Sequence, residues 1–129
     1  MTHNQRVSLR PGKYHVKIDS KLEQGALTYA DLVLPGESEQ EVLISTDICH
    51  PSMANNEPSG PEVTTVIANW LKSLSRRRYN YRIVFIPETI GSLVYLTKHR
   101  DHLVEKVCPG FVISCVGDDG LFLICLLLM

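Results

Sequence analysis

The chain has few cysteines, and none of them is paired at short spacing. Four occur in 129 residues, Cys49, Cys108, Cys115 and Cys125. The absence of a C-x-x-C pair argues against a zinc ribbon and against a redox dithiol motif. Residues 1–17 are polar and lack the apolar stretch of a secretory signal peptide. We therefore expect reduced thiols and a cytoplasmic location.

The chain also lacks an excess of charge of either sign and any long apolar run. Thirteen Lys and Arg oppose 14 Asp and Glu, which leaves a formal net charge of -1 and argues against binding to nucleic acid through phosphate neutralisation. Its longest apolar run, at 121–129, is far shorter than the roughly 20 residues needed to span a bilayer. We expect no nucleic-acid partner and no membrane partner.

Five segments have the patterning of strands. Tyr14–Ile18 alternates apolar and polar residues, Ala26–Leu34 ends at a Pro-Gly pair, and Val42–Thr46 is a short β-rich run. Tyr81–Pro87 is apolar on both faces, which is typical of a central strand covered on both sides. Phe111–Val116 predicts a further buried strand.

Two helices are expected between these strands. Ser59 and Glu62 have the spacing of a capping box and predict a helix start at Ser59. The residues that would form its one buried face are Val63, Val66, Ile67, Trp70, Leu71 and Leu74. The first helix should end within 75–78, and 92–107 predicts the second. The order β-β-β-α-β-α-β indicates an α/β sheet.

The chain divides into three parts by composition. Residues 1–12 form a polar lead-in, 13–120 a single domain, and 121–129 an almost wholly apolar tail. The tail is either a buried strand of a larger domain or the product of a reading frame that was cut or shifted near Gly120.

Three polar clusters follow predicted strands. They are Asp47-Ile48-Cys49-His50, Glu88-Thr89 and Asp118-Asp119. Ligands of open α/β sheets bind beyond the carboxyl ends of the strands. Histidine and carboxylate bind zinc, and a further glutamate can take the proton from zinc-bound water. The clusters therefore contain the ingredients of a hydrolytic zinc site.

Three sequence motifs carry a resemblance to a known family. Residues 45–60 read STDICHPSMANNEPSG, 84–92 read VFIPETIGS, and 115–120 read CVGDDG. In this order they resemble the metal motifs of the zinc aminopeptidase superfamily, in particular the bacterial aminopeptidase-like proteins associated with polysaccharide biosynthesis. The likeness extends over roughly 13–120. It implies a partial three-layer αβα domain with a mixed, mostly parallel sheet, truncated at the C-terminus.

The resemblance also implies roles for individual residues. His50 matches the first histidine ligand, Glu88 the glutamate that acts as general base, and Asp118 (or its neighbour Asp119) a later acidic ligand. Asn56 stands where the superfamily has a metal-bridging aspartate, and Thr89 stands where it has a second glutamate ligand.

The substitutions at these two positions remove negative charge from the implied site. Because metal affinity depends on ligand number and charge, we expect zinc to bind this chain weakly or not at all. The family's final histidine ligand lies further downstream than residue 129. The implied cofactor is zinc, and the implied substrate is a peptide or amide with a free N-terminus.

Three hypotheses on function follow. The first is a fragment of a metal-dependent aminopeptidase-like hydrolase. The second is a non-catalytic remnant or binding module of the same fold, which Asn56 and Thr89 favour. The third is a scaffold that self-associates through 121–129.

Simpler interpretations exist for several of these residues. Asn55 and Asn56 could be turn formers, and Asp118-Asp119-Gly120 has the composition of an ordinary turn. A Cys49–His50 nucleophile and base pair is disfavoured, because adjacent residues of an extended segment point in opposite directions and cannot easily form such a pair. His99 and His102 could share a metal, although an exposed polar helix face is the simpler account.

Overall fold

The computed structural model describes residues 1–49, 54–119 and 124–127. The elements, in chain order, are α1 His3–Val7, β1 Ala30–Leu34, β2 Glu41–Asp47, α2 Ser59–Ser73, β3 Asn80–Ile86, α3 Ile90–Lys106, β4 Val107–Ile113 and β5 Ile124–Leu127. No helix within the described ranges is long and apolar enough to cross a membrane.

The strands form one mixed sheet in the order β1-β3-β2-β4-β5. β3, β2 and β4 run parallel, so that Ile44 of β2 lies between Ile83 of β3 and Phe111 of β4. The edge strands β1 and β5 pair antiparallel with β3 and β4. The predicted α/β fold with a mixed sheet is confirmed, whereas the three-layer domain stays a prediction. β5 pairs with β4 of its own chain, and self-association through 121–129 stays a prediction.

Strand alternation divides the apolar residues between two clusters. Val42, Ile44 and Ile83 pack with Leu71 of α2. Leu43, which lies between Val42 and Ile44, packs in the other cluster. Its neighbours there are Val84 and Ile86 of β3, Tyr95 and Leu103 of α3, and Val107 of β4. Successive residues of a strand point to opposite faces, so α2 and α3 contact opposite faces of the central strands.

The predicted buried face of α2 is partly wrong. Leu71 is buried, and Ile67 and Leu74 pack against the core as expected. Val66 and Trp70, however, are 66% and 59% exposed, and Val63 is also exposed. Small and polar residues that a hydrophobicity pattern passes over complete the buried face: Gly60, Thr64 and Ala68. The close approach of this helix to the sheet selects small side chains there.

Several predicted boundaries also need correction. Tyr14–Ile18 is not a strand, and residues 8–29 contain neither helix nor strand. The apolar side chains of Tyr14–Ile18 are exposed, because alternation produces a strand only where a neighbouring strand is available to pair. β1 begins at Ala30 rather than Ala26, and β4 ends at Ile113 rather than Val116.

The predicted capping box at the start of α2 is absent. Pro58 is the N-cap residue, and no side chain caps the helix. The Ser59 hydroxyl accepts a hydrogen bond from the amide of Val116 at 3.0 Å instead. α2 ends at Ser73, before the predicted range 75–78, and α3 begins at Ile90 rather than Ser92.

The first turn of α2 rests directly on the ends of two strands. The hydroxyl of the fully buried Thr46 donates to the carbonyl of Ile113 at 2.9 Å, which joins β2 to β4. A Cβ atom on Gly60 would lie 2.4 Å from both the Ile113 carbonyl oxygen and the Thr46 hydroxyl oxygen. Only glycine allows this approach of helix to sheet.

A charged network around Arg82 ties three strands to α3. Arg82 donates to Glu41 at 2.7 Å and to Asp31 at 2.9 Å. His102 bonds Glu41 at 2.9 Å, and the Tyr95 hydroxyl donates to Asp31 at 2.6 Å. The side chains of Arg82 and Glu41 are only 14% and 6% exposed. His102 takes part in this network although its side chain is 42% exposed, so it does lie on the exposed helix face that the sequence predicted.

The network determines how Glu41 titrates. Burial raises its pKa, but the hydrogen bonds and charges of Arg82 and His102 outweigh burial and hold the pKa of Glu41 below 4.5. Because the pKa of Glu41 is lower in the folded chain than in the unfolded chain, the ionised carboxylate stabilises the fold at pH values above the unfolded-state pKa. That stabilisation is lost as the pH falls through the folded pKa.

Replacing Gly60 tests the contact between α2 and the sheet. Gly60→Ala should lower the free energy of unfolding by about 1–3 kcal/mol, because the added methyl overlaps backbone and a buried hydroxyl. Gly25→Ala is the matched control, since a Cβ there meets nothing within 4 Å. Urea denaturation followed by circular dichroism measures both, and equal stability of the two variants would contradict the contact.

Replacing Arg82 tests the network. Arg82→Met should destabilise the fold by about 3–5 kcal/mol near neutral pH, because it leaves the buried Glu41 without its main cation. The stability lost on acidification should also be smaller in the variant. Without Arg82, only His102 opposes the effect of burial, so the pKa of Glu41 rises relative to the parent chain and protonating this carboxylate costs less stability as the pH falls.

The matched control for this test is Arg76→Met. Arg76 forms the exposed pair with Glu37, with side chains 80% and 58% exposed, and its loss should leave the unfolding midpoint unchanged. Thermal unfolding across pH 3–7 gives the comparison. Parallel acid profiles for the Arg82 variant and the parent would refute the role of Arg82.

Candidate metal centre

The candidate site lies where the parallel strands β2 and β3 end side by side. Asp47 and Ile86 pair at the last position of the two strands. The amide of Ile48 then donates to the Ile86 carbonyl at 3.1 Å, which carries the pairing one step further. Cys49 and Glu88 follow, and the Glu88 amide donates to the Cys49 sulfur at 3.2 Å. The strand register thus places a thiol and a carboxylate together.

Glu57 joins this pair from the turn before α2. Its side chain is 4% exposed, and its carboxylate accepts a hydrogen bond from the Cys49 amide at 2.9 Å. The Cys49 sulfur and one carboxylate oxygen each of Glu57 and Glu88 lie within 4.8 Å of one another. Within the described part of the chain, this group of side chains could hold a metal ion.

The donor types and spacing of this cluster fit zinc. Thiolate sulfur and carboxylate oxygen bind zinc at about 2.3 Å and about 2.0–2.2 Å, which separates neighbouring ligand atoms by roughly 3.5 Å in a tetrahedron. Small side-chain adjustments would bring atoms within 4.8 Å to that spacing. Two carboxylate oxygens this close also favour a cation between them. Three protein ligands leave a fourth position for water or for a further ligand.

The structure brings together only part of the predicted site. Glu88 belongs to the cluster. His50 lies outside the described residues, directly after Cys49. The Asp118 carboxylate accepts a hydrogen bond from the Asn55 amide group and is not part of the cluster. Asn56 donates to the Cys115 sulfur at 3.3 Å, so it contacts the third motif.

The sequence motifs did not predict Cys49 or Glu57 as metal ligands. Glu57 directly follows Asn56, the neutral residue at the family's aspartate position, so a carboxylate one residue later was the available signal. The sequence suggested for Cys49 only the role of a nucleophile beside His50. Adjacent side chains of an extended segment point in opposite directions, which argues against a Cys49–His50 nucleophile and base pair. The same geometry does not prevent the Cys49 thiol from contacting side chains of other segments.

Hydrogen bonds join the turn that carries Glu57 to the loop after β4. The Asn55 side chain accepts from the Gly117 amide at 2.7 Å and donates to Asp118. Ser114 donates to the Asn56 carbonyl at 3.3 Å. The first and third motifs of the sequence are therefore in direct contact. Gly117 and Asp118 of the third motif both bind the Asn55 side chain of the first.

Two residues with left-handed backbones lie beside the cluster. Thr89 has φ 56° and Cys115 has φ 54°, and neither is glycine. A β-branched residue in this region stores strain of roughly 1–3 kcal/mol, and such strain is concentrated at functional sites. At Thr89 the chain reverses from β3 into α3, which leaves the preceding Glu88 at the turn.

Comparison with known proteins places the chain in a family. Residues 11–125 match the model of a family described as a domain of unknown function, DUF4910. The chain belongs to the DUF4910 family. This match covers the three motifs and every strand except the end of β5.

A curated relative carries a more informative name. The chain is 44% identical over 121 residues to a Clostridium acetobutylicum protein named for polysaccharide biosynthesis with an aminopeptidase-like domain. A 2.37 Å crystal structure of a protein named as a peptidase from the same organism is also 44% identical, with a TM-score of 0.78. The alignments cover 94% of this chain but only 27% and 28% of those proteins. The resemblance to the aminopeptidase-like proteins is thus confirmed.

Removing the Asn55 side chain tests the contact between the two loops. Asn55→Ala should lower the free energy of unfolding by about 1–2 kcal/mol, because the Gly117 amide loses its acceptor. The Gly117 amide should then exchange with deuterium faster than in the parent chain. Asp119→Ala, at an exposed neighbouring position, is the control and should change neither quantity. Unchanged exchange at Gly117 in the Asn55 variant would show that the hydrogen bond does not order the loop.

Proposed function

We propose that this chain supplies part of the catalytic site of a longer, metal-dependent aminopeptidase-like hydrolase with a three-layer, zinc-peptidase-like domain. The cluster of Cys49, Glu57 and Glu88 at the carboxyl ends of β2 and β3 carries the proposal. The relative named for an aminopeptidase-like domain supports the reaction class. The substrate would be a peptide or amide with a free N-terminus.

In this proposal the metal is held by side chains that follow β2 and precede α2. Cys49 and Glu57 are the described candidates, and His50 lies between them in the sequence. Asp118 would need a change in its hydrogen bond to Asn55 in order to contribute. A bound zinc ion supplies Lewis acidity, which polarises a carbonyl and makes a bound water more acidic.

Glu88 has the position of the general base. Its carboxylate lies within 4.8 Å of the other two ligand atoms, and its backbone is fixed by the hydrogen bond to Cys49. A Glu88 oxygen would take one proton from the attacking water while the water oxygen bonds to the substrate carbonyl carbon and the carbonyl π electrons move onto the carbonyl oxygen. The same proton would then pass to the amine nitrogen as the carbonyl double bond re-forms and the carbon–nitrogen bond breaks.

The second candidate is a binding module without catalysis. Asn56 supports it, because its amide donates to Cys115 and it brings no charge to the site. Thr89 supports it as well, since a neutral side chain stands where the resemblance implies a carboxylate ligand. The two candidates differ in whether the chain binds a metal.

Metal binding tests the proposal. The sequence predicted weak zinc binding without counting Cys49 and Glu57; with these two candidate ligands, the folded chain should take up about one equivalent of zinc after equilibration and removal of excess metal. Cobalt substitution should give the near-ultraviolet sulfur-to-cobalt absorption of a thiolate ligand, and Cys49→Ser should abolish it. Glu57→Gln should weaken zinc binding at least tenfold, whereas Glu88→Gln should retain zinc if Glu88 is a base rather than a ligand.

The control for these variants is Glu62→Gln, at an exposed carboxylate in the first turn of α2. It should bind zinc as the parent chain does. Zinc uptake that is unaffected by Cys49→Ser and Glu57→Gln would reject the ligand assignment. A folded chain that binds no zinc would reject the metal site proposed for Cys49 and Glu57 and favour the binding module.

A further inference from the structure

A small cavity lies between the sheet and α3, beside the candidate metal centre. Its volume is about 80 Å³, and its walls are mostly apolar. β2 and β3 provide Leu43, Val84 and Ile86, while two hydroxyl side chains, Ser45 and Ser92, add the polar part of the lining. Tyr95 also lines the cavity, and its hydroxyl belongs to the charged network around Arg82.

The cavity is close to Glu88 along the chain and in space. Ile86 in its wall is two residues before Glu88, so their Cα atoms are separated by at most about 7.6 Å. Ser92 is in the first turn of α3, directly after the strained turn at Thr89. The lining residue Leu96 is 41% exposed, so the cavity borders the surface of α3 and is open to solvent.

The size of the cavity limits what it can hold. An engineered apolar cavity of about 150 Å³ binds benzene. A space of about 80 Å³ is roughly half as large and admits a methyl, isopropyl or similar branched aliphatic group, but not an aromatic ring. Burying such a group against the valine, leucine and isoleucine of the wall is favourable, because apolar surface is removed from water.

We propose that this cavity receives the small aliphatic side chain of the substrate's N-terminal residue. This assignment rests on the proposed hydrolase and specifies its substrate class as peptides or amides that begin with a small aliphatic residue. Because Ile86 and Ser92 of the lining lie close to Glu88 in the chain, the attached carbonyl of such a substrate would extend toward Glu88 and the metal ligands. Ser92 limits the depth of the cavity from α3, and Ser45 limits it from β2.

Binding of small amides to the intact chain tests the cavity without requiring catalysis. Valinamide, phenylalaninamide and isobutanol would be titrated separately into the 129-residue chain, with methyl and backbone amide resonances followed by NMR. Valinamide and isobutanol should shift the methyl resonances of Leu43 and Val84, and phenylalaninamide should not. Of the two probes expected to bind, valinamide should also shift the backbone amide of Glu88 and isobutanol should not, because isobutanol has neither an amine nor a carbonyl group.

Variants of α3 separate filling of the cavity from loss of a hydroxyl. Ser92→Leu fills the cavity and should weaken valinamide binding at least tenfold, whereas Ser92→Ala should bind it as the parent does. Leu93→Ala is the control on the same helix, since Leu93 is 62% exposed and does not line the cavity. Circular dichroism of each variant establishes that it folds. If Ser92→Leu does not fold, Ser45→Val provides the same test from β2.

The outcomes distinguish this proposal from the proposed hydrolase. Absence of methyl shifts with both small probes overturns the cavity as a binding site, whatever the zinc measurements give. Isobutanol binding without a valinamide response at Glu88 also overturns it, because the cavity is then separate from the candidate site. Valinamide binding in a chain that takes up no zinc supports the cavity and rejects the metal site proposed for Cys49 and Glu57.

Discussion

The close approach of α2 to the sheet at Gly60 is the constraint on which the candidate site depends. Because this position has no side chain, the first turn of the helix contacts the carbonyl of Ile113 and the hydroxyl of Thr46. The preceding turn, 54–58, is then held over the ends of β2 and β4. That position brings Glu57 against Cys49 and brings Asn55 against the loop after β4. One glycine thus fixes the geometry of two loops.

The central part of the fold was predictable, and the periphery was not. β2 and β3 are apolar on both faces, and this pattern alone identifies strands covered on both sides. The pattern of Tyr14–Ile18 is equally clear, but a strand also needs a partner, and sequence alternation carries no information about one. The predicted buried face of α2 is wrong at Trp70 for a related reason. Close packing against the sheet favours the small residues Gly60 and Thr64, and a pattern of hydrophobic residues does not identify them as buried.

The candidate site likewise has one residue that the sequence predicted and two that it did not. Glu88 could be predicted because a contiguous motif carries it and because it directly follows a central strand. Cys49 and Glu57 could not, since they are eight residues apart and meet only through the geometry of the turn before α2. Sequence reasoning identifies residue types that suit a metal, whereas the choice among them depends on loop conformations. Asp118 illustrates this point, because its hydrogen bond to Asn55 is invisible in the sequence.

The segment between α1 and β1 has a geometric consequence of its own. Its 22 residues, 8–29, contain no regular structure, and nearly all of them are exposed. A chain of that length can extend to about 70 Å, several times the length of any strand in the sheet. A segment of this length allows α1 to lie far from the sheet, since only the extended length limits their separation. Ala30 is the first residue of the chain to pair in the sheet, where β1 hydrogen-bonds to β3.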